Sequence, residues 1–94
     1  MEDSAGFLVP AGSGRATRVP VPNTTFKAVG ADTGGAFTVL EYVMIADIPV
    51  HTHDREHESA YVLEGQISWH VGDAQFDAMP GDFVFLPRGI PHAI

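Results

Sequence analysis

Residues Gln66 to Val71 alternate strictly, with Gln66, Ser68 and His70 falling on one face of an extended chain and Ile67, Trp69 and Val71 on the other. That period of two predicts a half-buried β-strand with His70 turned to solvent. The runs Ser59-Ala60-Tyr61-Val62-Leu63 and Phe83-Val84-Phe85-Leu86 are apolar on both faces instead, which predicts strands whose outer surface is also covered, by the N-terminal segment or by another subunit. Similar short runs rich in β-branched and aromatic residues occur at Phe7 to Val9, Thr24 to Val29, Ala36 to Ala46 and Gln75 to Ala78. Ten glycines and seven prolines spread along the chain exclude long helices, and evenly spaced short strands predict an all-β sandwich or barrel with few or no helices. No internal repeat is visible, and Pro10-Ala11-Gly12-Ser13-Gly14 is the nearest thing to a linker, so residues 1–94 read as a single domain.

Ninety-four residues with 45% hydrophobic and 18% charged side chains are ordinary for one small globular core. The absence of cysteine excludes disulfide staples, iron–sulfur clusters and thiol nucleophiles, so any stapling of so small a core falls to a metal or a partner subunit. Covered apolar sheet faces at this size favour a homodimer. A net charge of −7, with Arg15, Arg18, Lys27, Arg55 and Arg88 unclustered, disfavours nucleic acid and anionic membranes as partners. The opening Met1-Glu2-Asp3-Ser4-Ala5-Gly6 has neither the basic nor the apolar region of a signal peptide, and no run of eighteen apolar residues occurs, so a cytoplasmic location is expected. Asn23-Thr24-Thr25 matches a glycosylation acceptor, which carries little weight without a secretory segment.

Candidate chemistry is concentrated in Val50-His51-Thr52-His53-Asp54-Arg55-Glu56-His57-Glu58, which holds three of the five histidines and four of the acidic and basic side chains. On a strand, His51 and His53 leave the same face and one divalent ion can bridge them. Glu58 opens the next apolar run, and antiparallel pairing of that strand with the first would swing its carboxylate onto the same ion. An isolated histidine pair is more often solvated turn residues than a pair of ligands, but a second cluster, Gly81-Asp82-Phe83-Val84-Phe85-Leu86-Pro87-Arg88-Gly89-Ile90-Pro91-His92, delivers another histidine after a strand and a Pro/Gly turn. Asp54, Glu56 and His57 read as solvated turn residues, with His57 also a substitute ligand or gate. Trp69, Phe83, Phe85, Met44 and Met79 read as core, with a pocket lining as the alternative. Asp32-Thr33-Gly34 matches the Asp-Thr-Gly of aspartic proteases, but no accompanying apolar-apolar-glycine element is present, and a turn is the simpler reading.

Taken together, the two clusters resemble the cupin superfamily, whose motifs are Gly-x5-His-x-His-x3or4-Glu-x6-Gly and Gly-x5-Pro-x-Gly-x2-His-x3-Asn. His51, His53, Glu58 and Gly65 occupy the first motif (51–65) and Gly81, Pro87, Gly89 and His92 the second (81–92), eight of ten fixed positions, with fifteen residues between Gly65 and Gly81. Ile45 stands where the first motif has glycine, and the asparagine of the second would fall at position 96, beyond Ile94, so the chain is expected to lack the last one or two strands. The resemblance implies a jelly-roll β-barrel with His51, His53, Glu58 and His92 as metal ligands. Four protein ligands suit an octahedral ion with two open positions, so iron, manganese, nickel or cobalt is expected rather than zinc.

His-x-His-x4-Glu followed by Tyr61-Val62-Leu63-Glu64-Gly65 and ending in Pro87-Arg88-Gly89-Ile90-Pro91-His92 is most similar to the quercetin dioxygenase group. That similarity implies a metal-dependent dioxygenase acting on a small aromatic or enol substrate with dioxygen, in which Glu58 is also the catalytic base. A small-molecule-binding or sensor protein without turnover, and a metal-assisted sugar isomerase or epimerase, are the alternatives, since a shared fold does not fix a reaction.

Overall fold

The computed structural model describes residues 6–14 and 23–94, so Arg15 and Arg18 lie outside the described residues. The described elements are β-strands joined by one short 3-10 turn. The architecture is all-β with antiparallel pairing throughout, as expected of a jelly roll. By internal contacts the chain divides into two compact units, Met1–Ile45 and Ala46–Ile94.

In the first unit, β1 (Thr24–Ala28) pairs with β2 (Val39–Tyr42), matching Thr24 with Tyr42 and Phe26 with Leu40 before a bulge shifts the register towards Ala28. The connection is the 3-10 turn Gly30–Asp32. There the Asp32 carboxylate accepts the Val29 N–H at 3.0 Å, and the Thr33 hydroxyl accepts from Phe37 N–H at 3.1 Å. Asp-Thr-Gly is thus a turn whose polar side chains satisfy its own backbone. The Lys27 ammonium donates to the Pro10 and Ser13 carbonyls.

Two expected strands come out differently. Phe7 to Val9 forms no strand, and Phe7 and Leu8 are 58% and 82% exposed. Pro10 follows directly and opens a turn closed by Ser13 N–H on its carbonyl, so the run has β propensity but no ladder partner among the described residues, and propensity without a partner does not make a strand. Ala36 to Ala46 is a strand only over Val39–Tyr42.

In the second unit, β3 (Glu58–Tyr61) pairs with β6 (Phe83–Leu86) in the register Glu58↔Leu86 to Tyr61↔Phe83. A three-stranded sheet has β4 (Ile67–Val71) at its centre, flanked by β5 (Ala74–Ala78) and β7 (His92–Ala93). The β4–β5 hairpin turns through Gly72 and Asp73, and Gly72 has φ +58°, the left-handed first position that a type II′ hairpin requires. β7 was not legible as a strand, because two residues between Pro91 and Ile94 carry no pattern.

The core of this unit is Val62, Trp69, Ala78, Val84 and Leu86, with Ala60, Ile67, Val71 and Ile94 packed around it. Trp69 is buried and His70 exposed, as the alternation in β4 predicts. Strands β3 and β6 are buried on one side only. Ala60, Val84 and Leu86 face the core, while Tyr61, Leu63, Phe83 and Phe85 are 49–64% exposed. Of the five side chains weighed as core or pocket lining, Trp69 alone is core, Phe83 and Phe85 lie on the opposite face from Glu58, and Met79 is 51% exposed.

Leu86→Ala and Trp69→Ala are each expected to destabilise the protein by about 2–5 kcal/mol, the range for large-to-alanine changes in a packed core. His70→Ala should stay within about 0.5 kcal/mol of the parent. Urea unfolding of the three variants checks both figures.

Candidate metal centre

His51 reaches the site through a backbone bridge. Its N–H donates to the His92 carbonyl and its carbonyl accepts the His92 N–H, both at 2.9 Å, while Ile48 and Ile94 exchange a second reciprocal pair at 3.0 and 3.1 Å. Residues 48–51 therefore run antiparallel to the 92–94 segment, broken as a regular strand by Pro49, which has no N–H. Glu58 arrives by another route than the spacing suggested. Its strand pairs with β6 rather than with the His51 segment, so the histidines and the carboxylate are brought together from separate ladders. A ladder can form only where donors and acceptors align, and the register of β3 is set by the apolar ladder Ala60↔Val84.

The four side chains converge. One ligand atom from each of His51, His53, Glu58 and His92 can be chosen so that all lie within 4.8 Å of one another, and the group can hold a metal ion. Ring centroids are 4.3 Å apart for His51 and His92, 5.0 Å for His51 and His53, and 5.5 Å for His53 and His92. The Glu58 Oε2 atom lies 3.2 Å from His53 Nε2 and 3.5 Å from His92 Nε2.

Outer contacts decide which nitrogens remain available. His51 Nδ1 is 2.8 Å from the Pro49 carbonyl oxygen. A carbonyl only accepts, so Nδ1 carries a proton and, in the neutral ring, Nε2 is the nitrogen with the lone pair. His53 Nδ1 is 3.0 Å from Glu56 Oε1. A neutral imidazole has one N–H, so His53 cannot donate to Glu56 and Glu58 at once. With Nδ1–H committed to Glu56, the Nε2 lone pair faces a carboxylate oxygen, an arrangement that a shared cation satisfies.

His92 strengthens this fit. It is 2% exposed, and its Nε2, 3.5 Å from Glu58 Oε2, makes no hydrogen bond, so a cation at that nitrogen would engage a buried polar atom that nothing else satisfies. Burial holds its pKa below the ordinary 6.5, and the neighbouring His51 and His53 push the same way, against an upward pull from Glu58 and from the Ile90 backbone. The imidazole is thereby kept in the neutral form that coordinates a metal.

Sequence reasoning missed the outer contacts. Glu56 is an exposed turn residue, as expected, but its carboxylate also reaches His53 Nδ1 at 3.0 Å, and its place three residues after that histidine was the available signal. The Pro49 carbonyl left no signal, because backbone groups are invisible to residue type. His57 is outside the cluster; its Nδ1 accepts the Arg88 N–H at 3.1 Å and its ring lies 5.2 Å from that of Phe85.

Residues 40–94 match the family model described as "Cupin domain". The chain is 27% identical over 92 residues to a quercetin 2,3-dioxygenase of Bacillus subtilis (strain 168), which covers 93% of the chain and 26% of that protein. The chain thus spans about a quarter of its relative's length. No solved structure matches. Among the described residues, no helix is long and apolar enough to cross a membrane.

Glu56→Ala frees the His53 ring and is expected to weaken divalent-ion binding by about 10–100-fold, the usual effect of losing an outer partner of a ligand histidine, as read by calorimetric titration with Ni2+ or Co2+. A pH effect follows from His92. Because its folded pKa is lowered, the unfolded chain binds the proton more readily, so this group's contribution to stability is present above pH 6.5 and is lost as pH falls below it. Urea midpoints of metal-stripped protein between pH 7.5 and pH 5.5 should therefore fall, and the fall should be shallower in His92→Asn.

Proposed function

The chain belongs to the cupin family, and on that footing we propose that it is a metal-dependent dioxygenase of the quercetin dioxygenase type, acting on a small aromatic or enol substrate in the cytoplasm. One observation carries this reading. Three imidazoles and one carboxylate bring donor atoms within 4.8 Å of one another, and the buried His92 Nε2 beside Glu58 makes no hydrogen bond. The similarity over 93% of the chain to a quercetin 2,3-dioxygenase supports it.

In this proposal His51, His53, Glu58 and His92 are the ligands. Nitrogen donors with a single carboxylate and two open octahedral positions favour iron, manganese, nickel or cobalt over zinc. When bound, such an ion supplies Lewis-acid polarisation of a substrate oxygen and, for a redox-active metal, the means to engage dioxygen. The protein's own part is to place and deprotonate the substrate. Glu58, with its side chain 44% exposed, is the group that takes the proton of the substrate hydroxyl onto a carboxylate oxygen, leaving the oxygen anionic. His51 and His53 are held by the Pro49 carbonyl and the Glu56 carboxylate so that their rings do not turn away.

The proposal extends to residues 1–94 as one domain and to a homodimer, for which the exposed Tyr61, Leu63, Phe83 and Phe85 supply an apolar face. Sedimentation equilibrium is expected to give twice the mass of one chain, and a monomer mass removes the dimer from the proposal.

His53→Ala should abolish bound metal, whereas His70→Ala, exposed on β4, should retain it. Elemental analysis of both variants tests the ligand set, and equal metal contents sink it. Oxygen uptake on adding a flavonol to metal-loaded protein is the expected sign of turnover. Tight flavonol binding without oxygen uptake or product would overturn the enzymatic reading in favour of a binding or sensor protein.

A further inference from the structure

The turn that leads into His92 has two donors to place. Residues Pro87 to Ile90 form a β-turn closed by Ile90 N–H on the Pro87 carbonyl at 3.3 Å, with Gly89 at φ +79°. Such a turn satisfies its last N–H and leaves those of its two central residues without a partner inside the turn. Here both go to one place. Gly89 N–H donates to the His53 carbonyl at 2.8 Å, and Arg88 N–H donates to His57 Nδ1 at 3.1 Å.

The second bond replaces one that the ladder cannot make. Strands β3 and β6 pair up to Glu58↔Leu86, so the next opposed residues are His57 and Pro87. Pro87 has no N–H, and backbone pairing stops there. The His57 side chain takes over one residue further on, and the Phe85 ring, 5.2 Å away at an interplanar angle of 48°, packs beside the imidazole. The segment 54–57 joins the proposed ligands His53 and Glu58, and the turn ends two residues before the proposed ligand His92. A bond between segment and turn therefore fixes the first group of donors relative to the last.

We propose that His57 is a positioning residue: its Nδ1, by holding the Arg88 N–H, latches the 54–57 segment to the 87–90 turn and sets the spacing of His53 and Glu58 against His92. The proposal rests on the metal-site reading given above. A neutral acceptor is needed at this place, not a charge and not a metal ligand. Removing the acceptor while keeping an aromatic ring against Phe85 should loosen the donor set and leave the apolar core intact.

The test compares His57→Phe, which keeps the ring and loses the acceptor, with His57→Asn, whose side-chain oxygen restores an acceptor near the Nδ1 position. Co2+ is the probe, followed by its affinity and its visible absorption bands, and the exchange rate of the Arg88 amide is read in metal-free protein. His57→Phe is expected to bind Co2+ about 10–100-fold more weakly, in the range for losing an outer-sphere contact, with altered bands and faster Arg88 exchange. Its urea midpoint should stay near that of the parent. His57→Asn should recover the affinity, the bands and the slow exchange. The latch is overturned if His57→Phe keeps parental Co2+ affinity and Arg88 exchange, or if His57→Asn recovers nothing. Should the parent itself take up no Co2+, the metal reading falls separately, and Arg88 exchange alone decides the latch: unchanged exchange in His57→Phe overturns it.

Discussion

Lone pairs crowded into a small space are the constraint around which the second unit is organised. Three imidazoles and a carboxylate point donor atoms at one another within 4.8 Å, and in the absence of a cation those lone pairs repel. His53 makes the conflict explicit, with carboxylate oxygens at 3.0 Å from one nitrogen and 3.2 Å from the other. Only a second proton or a shared cation reconciles both contacts. His92 adds the burial term: at 2% exposure its nitrogens can lose their hydration only if something else engages them.

An ion held at such a centre would also have an energetic role beside so small a core. The buried hydrophobic residues among those described are Ala28, Val62, Trp69, Ala78, Val84 and Leu86, and none but Trp69 and Leu86 is large. With no cysteine to cross-link the chain, an ion that binds the folded state and not the unfolded one stabilises it by mass action, about 2.7 kcal/mol at a hundred times its dissociation constant. Binding and folding are then one equilibrium, because the donors come from segments that meet only in the folded state.

The backbone around the centre follows from proline and glycine as much as from the histidines and Glu58. Pro49 interrupts the strand carrying His51 while its carbonyl orients the His51 ring. Pro87 ends the β3–β6 ladder and thereby frees Arg88 N–H for the His57 side chain. Gly89, at φ +79°, lets the chain turn back so that His92 can bridge to His51. Residues whose types say little about chemistry thus decide where the chemical groups stand.

The all-β class, the strand β4 with its buried Trp69 and exposed His70, and the turn at Asp32 were legible in the chain, because each depends on residue type at short spacing, whereas His92 joined His51, His53 and Glu58 only through the resemblance to a family. A period of two or a His-x-His pair is a local property and survives without knowing what lies opposite. What lies opposite is decided only by folding. That Glu58 pairs with Leu86 and not with the His51 segment, that His51 bridges His92, that Phe7 to Val9 finds no ladder partner among the described residues, and that Glu56 and the Pro49 carbonyl hold the His53 and His51 rings are all consequences of register. Register is set jointly by apolar faces seeking burial and by backbone donors seeking acceptors across the whole unit, and neither search is confined to a window of neighbouring residues.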